Sequence, residues 1–343
     1  MGGRFQNAMI VVFWLLAMGW LTVFKIIPPL QRGNPPTYVD ELPQDEEQSP
    51  PVVWKLHWND HPMGYALRHA IRTPEGGELR SLVRLDGVEL KELFGPLATF
   101  FTLGHDSKID FLIASRMQVD HEGGLRLLDT VIDVDQISHC IEIQGVVNEA
   151  NVLLLDASVS MSQEPGLPRH AFPQQSVPLP PGGQLGDGMS PRSEMHNLEI
   201  DQRWTIPVYR PFSPTRPTEI LEARVARHEI LVWGGPTIET FRVEYRSEAG
   251  AGISANSEPI AVVWVTGDGQ VIQQEVMFSS LRLRFTRVPG EDVDPEQAKL
   301  VDDEHFDEIF RQFRTEQPTP PASNADPPET DAKKSDAKGS DTK

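Results

Sequence analysis

One cysteine stands among 343 residues, so no disulfide can staple the chain. Nor is there a surplus of positive charge: 31 Lys and Arg against 50 Asp and Glu leave a formal net charge of −19. Nucleic acid is excluded as a partner, because phosphate binding needs a basic patch. After Phe24 no uncharged apolar run is long enough to cross a bilayer. The chemical signatures of catalysis are missing too: no C-x-x-C, no H-E-x-x-H, no G-x-S-x-G and no paired-carboxylate spacing. Gly182, Gly183 and Gly186 lie among prolines, with neither a strand before them nor a helix after, so they do not make a phosphate loop. These absences lead to a non-enzyme with no catalytic residue, no metal and no cofactor. Cys140 lies in a strand-like stretch, His139 to Ile143, and reads as an inert, half-buried thiol.

What is present begins with an apolar stretch. Phe5 to Phe24 carries no charge and is 24 − 5 + 1 = 20 residues long, the length that crosses a hydrocarbon core. Arg4 precedes it and Lys25 and Arg32 follow, so the charge asymmetry across it is small. The apolar character runs past Ala17-Met18-Gly19 through Trp20, Leu21, Val23 and Phe24, which favours an uncleaved signal-anchor over a cleaved signal peptide. No cysteine follows the run directly, which excludes lipoprotein processing, and Gln6 stands where myristoylation wants Ser or Thr. The expectation is a single-pass protein of a bacterial inner membrane, anchored by residues 1–27 and contacting the bilayer through residues 5–24. The bulk of the chain then lies outside the cytoplasm. Residues 28–51 are Pro-rich and acidic and read as an extended stalk. Residues 316–343 have almost no large apolar side chain and read as a disordered tail.

Between stalk and tail the dominant period is two, the period of strands. Residues 52–161 read as a first β half and residues 201–290 as a second, separated by a long loop over 162–200. The hairpin at Met117 to Leu127 resembles the one at Val263 to Gln273, each with an acidic-glycine turn, which hints at two related halves. The period changes twice. Leu90, Leu93, Phe94, Leu97 and Phe101 form a helical stripe within a helix over 89–101, kinked at Gly95-Pro96. Phe306, Ile309, Phe310 and Phe313 form a second within an amphipathic helix over 294–315. That second helix either packs on the sheet or docks a partner. The two stripes are the candidate lining of a hydrophobic ligand site.

Two local patterns raise metal chemistry. Asp156-x-Ser158-x-Ser160 has the D-x-S-x-S spacing of the metal-ion-dependent adhesion site in von Willebrand factor A-type domains. That site needs a helix directly after the strand, and Met161 to Pro168 cannot form one. The three side chains read instead as the solvent face of a strand. His57 and His61 flank Asp60 in H-W-N-D-H. In an extended strand they lie about 13 Å apart, and only a turn at Asn59-Asp60 would bring them closer. A metal-assisted hydrolase is the third reading.

Trp54-x-Leu56-x-Trp58 with Gly64-Tyr65, then Asp201 to Pro211 (DQRWTIPVYRP), Gly234 to Tyr245 (GGPTIETFRVEY) and Val263 to Val276 (VWVTGDGQVIQQEV) follow one another in a familiar order. The order resembles extracytoplasmic β-rich domains of uncharacterised bacterial envelope proteins, some found beside transglutaminase-like domains and similar to lipoprotein-carrier-like half-barrels. The resemblance implies a mainly β fold: an N-terminal transmembrane helix, then an antiparallel sheet curled into an incomplete barrel with helices over its concave face. It also implies binding of a lipid or acyl chain, or a role in envelope assembly. The alternative is an accessory subunit of a membrane complex with no ligand pocket.

Overall fold

The computed structural model describes residues 2–22, 35–44, 49–89, 108–134, 137–160, 169–179, 185–187, 189–209, 218–247, 258–278 and 281–315. The first half of the chain supplies β1 (Val52–Trp58), β2 (His61–Thr73), β3 (Gly76–Glu89), β4 (Lys108–Val119), β5 (Leu125–Val134), β6 (Ile137–Val147) and β7 (Val152–Val159). Three short strands follow: β8 (His170–Ala171), β9 (Gln175–Pro178) and β10 (Gly186–Asp187). The second half supplies β11 (Arg203–Tyr209), β12 (Thr218–Val232), β13 (Thr237–Ser247), β14 (Ala261–Thr266), β15 (Val271–Phe278) and β16 (Leu281–Arg287). All join one sheet in the order β10-β11-β12-β13-β14-β15-β16-β1-β2-β3-β4-β5-β6-β7-β8, with β9 also on β7. The path is open, because its two end strands do not pair. Every pairing is antiparallel except β10 with β11. The last strand of the second half lies against the first of the first half, Trp54 opposite Arg287, which makes two sequence halves one curled, unclosed sheet.

Period-two alternation sorts the residues onto two faces. One row runs Trp54, Ala66, Val83, Ile113, Ile132, Ile141 across six strands, and all belong to the large inner cluster. The neighbouring row, Val53, Leu67, Leu82, Ala114, Val131, is displaced by one residue and so faces outward. The two hairpins singled out by their turns are present, and Gly123 (φ 83°) and Gly269 (φ 95°) take the left-handed conformation that each turn requires.

Of the three expected helices, two depart from expectation and one lies mostly outside the described residues. First, α1 (Gly2–Leu21) is one helix whose side chains from Met9 to Trp20 are exposed. Its uninterrupted apolar part runs only from Ala8 to Leu21, 21 − 8 + 1 = 14 residues, because Gln6 and Asn7 interrupt the stretch counted as 5–24. Val23 and Phe24 lie outside the described residues. Among the described residues no helix is long and apolar enough to cross a membrane. Second, the helix expected over 89–101 falls mostly outside them: β3 extends to Glu89, and Leu90, Leu93, Phe94, Leu97 and Phe101 are not described. Third, the helix over 294–315 is broken into α2 (Pro295–Ala298), a 3-10 turn over Lys299–Val301 and α3 (Asp303–Thr315). Asp302 is extended (φ −67°, ψ 169°) and its Oδ1 accepts the His305 amide, capping α3 and ending what precedes it.

α3 covers the outward face, not the concave one. Phe306 and Phe310 are buried against Val53, Leu67, Leu82, Ala114 and Val131, with Ile309 half-buried beside them. Arg80 and Arg116 of the sheet lie over the Phe306 ring at 5.4 and 5.5 Å, and Arg116 over Phe310 at 4.7 Å. The docked reading of this helix therefore holds, and these residues line no interior cavity. The Phe313 side chain lies outside the described ones.

Candidate functional site

Among the described residues, two segments expected to lie outside the fold are buried on the concave side. Tyr38–Glu41, in the stretch read as an extended stalk, forms a 3-10 turn with Tyr38, Glu41 and Leu42 buried. From the stretch read as a long loop, Leu185, Met189 and Met195 are buried in the same cluster. Each segment brings large apolar groups to the inner face, whose burial stabilises the docked position. Gly77 makes room for the first. A Cβ there would stand 2.4 Å from Leu42 Cδ2.

The two segments meet the sheet at a polar row. Arg68 of β2 lies opposite Ser81 of β3, which lies opposite Ser115 of β4 and then Thr130 of β5, all facing inward. Glu41 enters this row with its side chain fully buried. Arg68 Nε donates to Glu41 Oε2 at 3.0 Å, Arg192 Nε to Oε1 at 3.1 Å, and Ser193 Oγ to Oε2 at 3.2 Å. Arg68 Nη1 also donates to Ser190 Oγ at 3.3 Å, and Ser190 Oγ donates to Ser81 Oγ at 2.5 Å. Arg192 lies 5.2 Å from the centroid of the Tyr38 ring. The Tyr38 hydroxyl donates to the Leu185 carbonyl and so ties one segment to the other.

Electrostatics keep Glu41 ionised. Burial alone would raise its pKa, but the charges and hydrogen bonds of Arg68 and Arg192 outweigh burial and hold it below the ordinary value. Burial pushes the Tyr38 phenol up to about 12, so it stays a donor. Asp187 is shifted the other way: burial raises its pKa, only partly opposed by the Met189 amide and Arg68. Two buried guanidinium groups thus face one firmly ionised carboxylate. Arg192 Nη1 and Nη2 find no acceptor among the described residues, nor do the indole N–H groups of Trp54 and Trp204 on the same face. The arrangement is a cradle for a carboxylate or another oxyanion, filled by the chain's own Glu41.

The residues singled out from sequence are placed as follows. Asp156 and Ser158 face outward on β7. Gln174 bonds the Asp156 carboxylate, and Arg169 donates to Ser158 Oγ and pairs with Glu142. The Asn59-Asp60 turn does form, with both residues at positive φ. It sets Trp58 opposite His61 on one face and leaves His57 on the other, while Asp60 pairs with Arg284. Neither pattern gathers ligands, and among the described residues no group of three His, Cys, Asp or Glu is placed to hold a metal. Cys140 is buried, and burial raises its thiol pKa to about 11. A half-open groove of about 590 Å³ lies where hairpin ends meet, lined by Glu75, Asp120, Glu122, Arg126, Glu149 and Asn151. Polar and charged side chains dominate this lining, with Leu125, Leu127, Val146 and Val147 between them, unlike the mostly apolar walls of an acyl-chain site.

Tyr38, Glu41, Arg68, Ser190 and Arg192 were not legible as a site. The one signal was Arg68, a charged residue between Ala66 and Ala70 on the face that alternation turns inward.

No family model matches the chain, and no curated protein matches it. A solved structure of a beta-barrel-like protein of a domain of unknown function, from Brucella abortus, superposes with a TM-score of 0.38 at 8% identity. The superposition covers 69% of this chain and 94% of that one. Nothing in these comparisons bears on a likeness to lipoprotein-carrier half-barrels.

Proposed function

We propose that the chain is a non-enzymatic, membrane-tethered module on the outer side of a bacterial inner membrane, acting as an accessory or assembly subunit that docks other proteins. The observation that carries this reading is the occupation of the concave face by the chain's own side chains. The concave face, where a carrier would hold an acyl chain, is packed with Tyr38, Leu42, Leu185, Met189 and Met195 of the same chain. This favours the accessory-subunit reading over lipid or acyl-chain binding. Tethering is supported by α1, whose Phe13, Trp14 and Leu16 are 75, 60 and 69% exposed. So much exposed apolar surface calls for a non-aqueous environment, and Val23 and Phe24 extend the apolar sequence beyond Thr22.

Native mass spectrometry of the full chain, extracted from a bacterial membrane in detergent, tests both parts. The expected result is recovery from the membrane fraction after alkaline carbonate washing, at the mass of the bare polypeptide. Recovery from the carbonate wash would end the tethering reading. A stoichiometric lipid adduct would return the barrel to the carrier class.

A further inference from the structure

Tyr38, Glu41 and Leu42 stand at i, i+3 and i+4 of one turn, and all three are buried against the barrel. Among the described residues, the backbone bonds of this turn are internal: Asp40 N–H to the Thr37 carbonyl and Leu42 N–H to the Val39 carbonyl. The Thr37 amide is taken by the Asp40 side chain. The turn therefore adds no strand to the sheet. It is held by side chains seated in prepared positions, as a short peptide is held in a groove by anchors at this spacing.

We propose that this turn is the built-in occupant of a peptide-binding site. An acidic segment of a partner protein, carrying an aromatic, a carboxylate and an aliphatic residue at the same spacing, takes its place. The inference rests on the docking reading above and names the chemistry of what is docked. Three features define the site. Arg68, Arg192 and Ser193 receive the carboxylate. The Arg192 guanidinium and the Leu185 carbonyl receive the aromatic ring and its hydroxyl. Gly77 leaves the space for the aliphatic group. Charge points the same way, because two guanidinium groups converge on the Glu41 carboxylate and, among the described residues, two Arg192 nitrogens have no acceptor. A partner segment with a second acidic group beside the first meets that excess better than Glu41 alone.

The experiment uses the full chain in detergent micelles with Tyr38→Ala, Glu41→Ala and Leu42→Ala combined, which empties the three anchors. The probe is a fluorescently labelled, end-capped peptide of residues 36–42, titrated by anisotropy. Saturable binding is expected, weakened on the order of tenfold or more when the peptide's glutamate is changed to glutamine or the protein carries Arg68→Gln. A variant that melts cooperatively yet does not bind the peptide overturns the proposal, as does binding indifferent to both changes. If the variant does not fold, hydrogen exchange of the wild-type chain decides. Displacement requires the amides of Asp40 and Leu42 to exchange at least about tenfold faster than the paired amides of β3 and β4, through local opening. Equal rates would make the turn a permanent part of the core and overturn it. Neither failure touches the tether, which the membrane fractionation tests alone.

Discussion

Replacing Phe306 by alanine probes how the outward face of the sheet is closed. The ring is fully buried, 5.2 Å from the Phe310 ring, with guanidinium groups of Arg80 and Arg116 over it at 5.4 and 5.5 Å. Truncating a buried Phe costs about 3–5 kcal/mol, and each partly desolvated cation–π contact adds ~1 kcal/mol. With two such contacts, about 5–7 kcal/mol is therefore expected. Much of it falls on the docking of α3 alone, because the helix can leave the sheet without the barrel opening. Hydrogen exchange across residues 303–310 should speed up by a hundredfold or more, since ~1.4 kcal/mol is a factor of ten. The urea midpoint of the barrel should move less than the full amount. Glu304→Ala, on the exposed side of the same helix, should stay within about 0.5 kcal/mol. Unchanged exchange in α3 after Phe306→Ala would refute the packing argument and return this helix to the partner-docking reading.

Gly77→Ala should dislodge Leu42 or lower stability by about 1–3 kcal/mol in urea, because the new Cβ would stand 2.4 Å from Leu42 Cδ2. A wild-type midpoint would mean that Leu42 does not lie there. For pH, Glu41 has a folded pKa below its ordinary 4.5, so its contribution is complete above that value and is lost as pH falls through the folded pKa. Glu41→Gln should therefore flatten the acid limb of a stability profile, and an unaltered limb would refute the assignment. Asp187 has the opposite sign: its raised pKa favours the neutral form, so its contribution is present below 3.8 and is lost as pH rises through the folded pKa. Asp187→Asn should therefore match or exceed the wild type in stability at neutral pH, measured by urea unfolding. Cys140, buried with its pKa raised to about 11, should alkylate only on unfolding, and prompt labelling of the native chain by iodoacetamide would contradict its burial.

The local periods were enough to place most strands and to sort their faces. Trp54, Leu56 and Trp58 alternate with Val53, Lys55 and His57, and pleat geometry alone sends the two sets to opposite sides. The same rule identified Asp156 and Ser158 as surface residues, and the break at Met161 to Pro168 ruled out the helix that a metal site would need. The stripe of Phe306, Ile309 and Phe310 announced a buried helix face, as its period required. Which face of the sheet it covers was not in that pattern, because a helical stripe says only that a cover exists.

Composition misled in the stalk and in the long loop. Prolines and acidic residues around Tyr38 favour an extended, solvated chain when nothing is nearby to bury against. Burying Tyr38 and Leu42 and pairing Glu41 depend on Arg68, 27 residues away, and on Arg192, 151 residues away. Those guanidinium groups converge only once β16 has docked on β1 and the sheet has curled. Sequence by itself determined most of the strands and their inward and outward faces, because these follow from short-range periodicity and residue type. Tertiary structure alone decided what fills the concave side, since a buried charge is tolerable only where distant partners arrive together to solvate it.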